Sequence, residues 1–153
     1  MHKLLVLFLL LFSVARPALA TPPTDTELLR QFMRAATDGH TSDSTLIARF
    51  MCPELLFRHN DARIDSARAM LSVLLASIRK QWQPHPRQLR QSRFLPSQEV
   101  PHPNFHMLGG EEGAYVLVHK RKPSMYFLVV ENRVASFLLI NQGGEAYFLD
   151  FCR

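Results

Sequence analysis

Three side chains have the types and neighbours that acid–base catalysis could use. Asp150 lies between two apolar residues, and a carboxylate in an apolar setting can serve as a base. His59 and Asp61 are close enough in sequence to form a histidine–aspartate dyad. Each has a structural alternative. Asp150 could pair with Arg153 or lie at a frayed strand end. Asn60 or Asp61 could cap the helix that follows, and His59 would then be a loop residue. These three residues are candidates, and no catalytic residue is assigned.

Two histidines, His102 and His106, have the spacing of a metal-ligand pair. Side chains four residues apart share one side of the chain only in a helix, and Pro101 and Pro103 disfavour a helix there. No third ligand is evident, and the known nucleophile signatures and phosphate-binding glycine loops are missing from the sequence. We therefore predict neither a bound metal nor a cofactor.

The first twenty residues have the three parts of a cleavable secretory signal. His2 and Lys3 give a positive start, residues 4–14 are apolar except for Ser13, and residues 18–20 (Ala-Leu-Ala) match a signal peptidase site. The apolar run is shorter than the roughly 20 residues that span a membrane, although an uncleaved anchor is the alternative. The prediction is a signal peptide over 1–20 and one domain over 21–153, secreted or periplasmic and not membrane-anchored after cleavage.

The chain contains two cysteines, Cys52 and Cys152. An even number of cysteines in an exported protein favours pairing. A disulfide would join the helical half of the chain to its last predicted strand and close a long loop. The alternative is a pair of buried thiols that pack as small apolar groups.

The charge of the mature domain is mildly positive. Removing Lys3 and Arg16 lowers the formal net charge from +5 to +3, which does not by itself indicate nucleic acid. The cations also lack the interleaved aromatic residues of a single-strand-binding surface. One basic group, within 79–93, could face an anionic polymer or an acidic partner, and a second, at 120–122, is expected to be solvated. We predict no nucleic-acid partner.

The hydrophobic spacing predicts helices first and strands afterwards. A capping box at 24–27 and the pair Asp38-Gly39 bound the first helix, and Pro53 ends the second. A continuous apolar stripe predicts a third helix over 61–83. The proline-rich stretch that follows is predicted as an edge strand within 87–95 and otherwise as loop. Four antiparallel strands then connect through short turns, at 114–119, 124–130, 134–140 and 145–152.

The predicted strands are apolar on both faces. Residues 125–130, for example, alternate between two faces, yet all six are apolar or aromatic, whereas a strand with one wet face alternates with polar residues. The helices can cover one face. The other must curl around itself, pair with a second copy in a homodimer, or line a pocket. Candidate pocket residues are aromatic, although such clusters are also typical of a core: Trp82, Tyr115, Tyr126 and Tyr147.

This order of elements resembles the nuclear-transport-factor-like and ketosteroid-isomerase-like superfamily, and also a cystatin-like roll. The helix 61–83, the strands of 114–152 and the tight turn at 131–133 carry the resemblance. It implies an α+β fold in which N-terminal helices pack on a curved C-terminal antiparallel sheet, as a cone or a roll. It also implies a cavity between the long helix and the sheet. Enzymes of that group place a carboxylate base and a tyrosine in the cavity, and neither is carried over to a residue here.

The sequence supports a binding role more than a catalytic one. We predict an exported non-enzymatic domain that binds a small apolar ligand or a partner protein. One alternative is a small cavity enzyme of the isomerase or hydratase kind, with Asp150 or Asp61 as its base. Another is a periplasmic inhibitor or immunity-type protein that inserts an exposed loop, within 96–110, into its partner's site.

Overall fold

The computed structural model describes residues 24–57, 62–101, 105–108 and 112–152. The predicted signal peptide lies outside these ranges. Helices precede strands, so the α+β class is confirmed. The helices are α1 (Asp25–Thr37), α2 (Asp43–Phe50), α3 (Glu54–Phe57), α4 (Ala62–Trp82) and α5 (Pro86–Gln91), followed by a short 3-10 helix (Ser97–Glu99). The strands are β1 (Arg93–Pro96), β2 (His106–Met107), β3 (Ala114–His119), β4 (Lys122–Val130), β5 (Arg133–Ser136), β6 (Leu139–Gln142) and β7 (Glu145–Phe148).

The first helix begins and ends where the sequence predicts. The hydroxyl of Thr24 accepts a hydrogen bond from the amide of Glu27 at 3.4 Å, which is one half of the predicted capping box. The carboxylate of Glu27 does not reach back, because it accepts hydrogen bonds from the side chains of Arg30 and Gln31. At the other end, Gly39 has a φ of +78°, a conformation that glycine adopts without steric penalty.

Phe32 of α1 lies at the centre of the core. Its ring centroid is 5.9 Å from that of Phe50 in α2, 6.4 Å from Phe127 in β4 and 5.6 Å from Phe137 after β5. Aromatic pairs at these separations add about 0.5–1.5 kcal/mol each beyond the area they bury. One buried side chain therefore joins two helices to the strands. The long helix α4 completes this layer and buries Leu71, Leu75, Ile78 and Trp82.

The strands form two open sheets instead of one continuous meander. The first has the order β1-β3-β4-β5 and the second the order β2-β7-β6. The two sheets separate because the strand predicted over 134–140 is interrupted after Ser136, whose hydroxyl accepts a hydrogen bond from the amide of Leu138 at 3.1 Å. This local bond replaces ladder pairing at the break. The pairing of β2 with β7 is parallel, and the other pairings are antiparallel.

The second face of the first sheet is covered by the chain itself. Tyr115 points toward α1, so its neighbour Val116 points to the opposite side, where it is nevertheless 0% exposed. Tyr126 pairs with Val116 in the ladder. Its ring packs edge-on against that of Phe105, with the ring centroids 5.6 Å apart. Ser97 of the 3-10 helix is fully buried as well. The segment after β1, expected to be an exposed loop, thus provides part of the cover.

The edge-strand prediction for 87–95 was partly wrong. Residues 86–91 form the helix α5, and the strand starts later, as β1. Pro86 occupies the first turn of α5, where the missing amide proton costs nothing. The strand that follows does lie at the edge of its sheet. The last strand was also predicted too long, because β7 ends at Phe148.

Cys52 and Cys152 form a disulfide, with their Cα atoms 5.5 Å apart. Cys52 lies between α2 and α3, whereas Cys152 follows β7, so the bond fastens the helical half of the domain to the end of the second sheet. Nearby, Asp150 accepts a hydrogen bond from the amide of Cys152 at 2.7 Å. Among the described residues, no helix has the length and hydropathy needed to cross a membrane.

Removing this disulfide should lower the stability of the fold markedly. The bond spans a sequence separation of 100 residues, and we expect the variant C52A/C152A to lose about 2–5 kcal/mol of unfolding free energy, because its unfolded chain regains the entropy of that loop. Urea unfolding of the oxidised protein, the reduced protein and the variant measures the effect. Reduced protein should resemble the variant. Equal stability of the oxidised and reduced proteins would contradict the prediction.

Candidate functional site

A cleft of about 610 Å³ lies between α1, α5 and the start of β1. We call it the α1–α5 cleft. Its lining combines an apolar part with a set of cations. The apolar residues are Met33, Pro86, Leu89 and Phe94, and the cations are Arg30, Arg34 and Arg90. Such a lining can hold an apolar body and contact a polar group at the rim.

Local structure places these side chains together. Arg30, Arg34 and Thr37 line the cleft from α1, where a spacing of three or four residues puts them on one side of the helix. Leu89 faces it from the short helix α5. Phe94 of β1 also lines the cleft. Its ring packs against that of Phe127 in the core, with the ring centroids 5.5 Å apart. The cleft is therefore built on two helices and an edge strand.

The hydroxyl groups of the cleft already have partners. The hydroxyl of Thr37 donates to the carbonyl oxygen of Met33 at 2.7 Å, and that of Ser92 donates to the carbonyl oxygen of Gln88 at 2.8 Å. The Ser92 oxygen also lies 3.3 Å from Nδ1 of His119. Each hydroxyl therefore already donates its hydrogen to a main-chain carbonyl and does not have it free for a ligand.

The three arginines of the cleft differ in their partners. Arg30 forms an ion pair with Glu27 at 3.2 Å. In the part of the chain that the structure describes, Arg34 and Arg90 form no ion pair and no side-chain hydrogen bond, and both are exposed. Among the described residues, the two cleft arginines without a carboxylate partner are therefore Arg34 and Arg90.

A second cleft, of about 500 Å³, lies between α4 and the residues that follow β7. We call it the α4 cleft. Its walls are mainly apolar and include Ile64, Met70 and Phe151, and half-buried Asp150 also lines it. One of the three catalytic candidates thus lies in a cleft. The other two, His59 and Asp61, lie outside the described residues.

The four aromatic pocket candidates do not converge on either cleft. Trp82 is 4% exposed in the core at the end of α4. Tyr115 and Tyr126 point to opposite faces of the first sheet, and Tyr147 is half-buried on β7. The residues that line the α1–α5 cleft and the α4 cleft include none of the four.

Only one of the two candidate metal ligands is among the described residues. His102 lies outside the described residues, and His106 is exposed on β2. Within 24–57, 62–101, 105–108 and 112–152, no group of three histidine, cysteine, aspartate or glutamate side chains could hold a metal ion.

Tyr115 is a structural tyrosine. Its hydroxyl donates to the carboxylate of Asp25 at 2.8 Å and so ties the first turn of α1 to β3. Burial raises the pKa of Tyr115 to about 12, and the hydrogen bond to Asp25 and the charge of that carboxylate add to the effect. Burial also raises the pKa of Tyr126. Both rings are therefore neutral at physiological pH.

Sequence reasoning missed the α1–α5 cleft. Arg30, Met33 and Arg34 have helical spacing on α1, which was a usable signal for one wall. The opposite wall could not be predicted, because the residues around Arg90 were predicted as a strand. Only the position of α5 beside α1 shows that Arg34 and Arg90 share a cleft.

The comparisons with known proteins give no family. No protein-family model, no curated protein and no solved structure matches the chain. The resemblance to the nuclear-transport-factor-like superfamily stays a prediction, and the proposals below depend on the geometry of the clefts.

Tyrosine titration tests the bond between Tyr115 and Asp25. We expect one tyrosine to ionise near pH 12, an ionisation that Y115F removes, that D25N lowers and that the control Y126F leaves in place. Because the pKa of Tyr115 in the folded protein exceeds its ordinary value of 10.0, its contribution to stability is complete below pH 10 and is lost as the pH rises toward about 12. The measurement is the ultraviolet absorbance of tyrosinate. An unchanged profile for Y115F would refute the assignment.

Proposed function

We propose that the mature chain is an exported, non-enzymatic binding domain that holds a small molecule with an apolar body in the α1–α5 cleft. The observation that carries the proposal is the apolar lining by Met33, Leu89 and Phe94 in a cleft of about 610 Å³. Sites for small molecules are mostly apolar clefts of about 300–1,000 Å³ with a few polar groups that orient the ligand.

The disulfide supports the export part of this proposal. Disulfides persist in oxidising compartments and are rare in the cytosol, and Cys52 is bonded to Cys152. The signal-like pattern of residues 1–20 is consistent with the same location. Together they favour a secreted or periplasmic protein.

The chemistry of the lining favours binding over catalysis at this cleft. General acid–base catalysis needs a group that can exchange a proton near neutral pH. Arginine stays protonated throughout that range, and the hydroxyls of Thr37 and Ser92 already donate to main-chain carbonyls. The α1–α5 cleft is thus suited to hold a molecule.

One observation keeps an enzyme as the second candidate. Asp150 lies in the mainly apolar wall of the α4 cleft, which Arg63 also lines, and a carboxylate base of a small isomerase or hydratase would lie in such a cleft. Its Oδ1 atom already accepts the amide of Cys152, which gives the carboxylate a structural role as well. The α4 cleft is also smaller than the α1–α5 cleft, so we rank this candidate second.

An uncharged apolar dye tests the binding proposal. Protein purified from cells that express the full chain should bind Nile red in the α1–α5 cleft and raise its fluorescence. We expect L89Q to weaken that binding about fivefold or more, because a buried polar amide replaces apolar contact in the lining.

The matched control makes the same chemical change elsewhere. L108Q alters a leucine that is 47% exposed after β2 and does not line the cleft, so it should leave dye binding unchanged. Circular dichroism verifies that both variants are folded. Equal dye binding by L89Q and the unaltered protein would sink the proposal.

A further inference from the structure

We infer that the ligand of the α1–α5 cleft is an anionic amphiphile, with a carboxylate or phosphate head held by Arg34 and Arg90 and an aliphatic chain on the apolar lining. This inference rests on the proposed function and adds the chemical class of the ligand. It depends on three features of the cleft: the basic segments beside it, the nearby carboxylates that already have partners, and the arginines that have no carboxylate partner.

The cleft lies beside a strongly basic end of the molecule, formed by residues 86–93 and 117–122. The ladder pairs Arg93 with Val118, and His119 with Lys122, so the turn between β3 and β4 lies beside the end of α5. The two segments contain no carboxylate. They contribute six exposed cations: Arg87, Arg90, Arg93, Lys120, Arg121 and Lys122. The fold thus brings together two basic groups that are far apart in the sequence.

The acidic residues of the adjoining helix are engaged with other donors. Asp38, at the end of α1, accepts the hydroxyl of Thr41 at 2.6 Å and the amides of His40 and Thr41 at 2.8 Å each. The hydrogen bond from the Thr41 hydroxyl is the largest of the causes that lower the pKa of Asp38. Glu27 is paired with Arg30. Neither acid pairs with Arg34 or Arg90, which have no carboxylate partner among the described residues.

The polar donors that remain decide the sign of the ligand's charge. A guanidinium offers a planar pair of N–H donors that match a carboxylate or a phosphate, and such charge-assisted bonds are stronger than neutral ones. An uncharged ligand would leave the donors of Arg34 and Arg90 without an ionic partner. A cationic ligand would be repelled by the whole basic end.

The apolar lining accounts for the rest of the ligand. Leu89 and Phe94 lie beside Met33, whose unbranched and polarisable side chain adapts to the shape of a partner. An aliphatic chain can lie on half-buried Leu89, above a floor formed by Phe94, which is 8% exposed, and Met33, which is 1% exposed. Its head then stays at the exposed rim with the arginines. An anion without an apolar chain would leave this part of the cleft filled with water.

Ten-carbon probes that differ only in their heads test the inference. Decanoate and decyl phosphate should displace Nile red from the full-chain protein at concentrations about tenfold lower than decanol, because only the anions pair with the arginines. Decyltrimethylammonium should not displace it. All probes are used below the concentrations at which they form micelles.

Paired charge variants separate local contact from the general field of the basic end. R34Q/R90Q should bring the affinity for decanoate down to that for decanol. R87Q/R93Q removes the same number of charges, both from the basic end, but neither residue lines the cleft, so it should retain most of the preference for decanoate. If the two double variants lose the preference equally, the head does not contact Arg34 and Arg90, and the inference is overturned.

The outcomes distinguish this inference from the proposed function. Equal displacement by decanoate and decanol would overturn the anionic head alone, whereas a protein that binds neither Nile red nor any probe would overturn both. Vesicles of phosphatidylglycerol and of phosphatidylcholine identify the source of the head group. Binding to phosphatidylglycerol that needs Arg34 and Arg90 supports a head presented by a bilayer, and decanoate binding without vesicle binding supports a free amphiphile.

Discussion

The four-stranded sheet β1-β3-β4-β5 must exclude water from both of its faces, and the other elements are arranged around that requirement. On one face, Phe127 packs against Phe32 of α1. On the other, Val116 is fully buried and Tyr126 contacts Phe105. The chain thus folds back over its own sheet. The disulfide then fastens the helical layer to the residues that follow the second sheet.

The same arrangement explains why a cleft forms at one end of α1. The first turn of this helix is attached to β3 by the hydrogen bond between Asp25 and Tyr115. Its later turns, from Arg30 to Thr37, face α5 and β1 across the α1–α5 cleft. The strand that carries Tyr115 ends at His119, beside Ser92. The end of α1 that is hydrogen-bonded to β3 and the part of α1 that lines the cleft therefore lie near opposite ends of β3.

Elements with a strong hydrophobic periodicity or a clear capping motif could be predicted from the sequence. The apolar stripe of α4 and the capping box of α1 placed both helices within a residue or two of their observed ends, and β3 was placed correctly at both. The helix α5 could not be predicted in this way, because six residues do not complete two helical turns. The interruption after Ser136 was also hidden, since the residues on both sides of it are apolar.

The site was less predictable than the fold, for a different reason. A pair such as Arg34 and Arg90 belongs to one cleft only because two helices that are distant in sequence line the same cleft. Neither arginine stands in a motif, and each alone is an ordinary exposed cation. Cys52 and Cys152 are the exception, because their pairing could be inferred from their number and the predicted compartment.

The position of the disulfide also bears on the order of events during biosynthesis. Because the ribosome builds a chain from its N-terminus, Cys52 emerges first, and its partner follows only after a separation of 100 residues. Every described helix and strand from α4 to β7 lies within that interval. The Cys52 thiol must therefore remain available, or be held by a temporary partner, while most of the domain emerges. The bond cannot guide the early collapse of the chain, and it secures a fold whose elements have already been delivered.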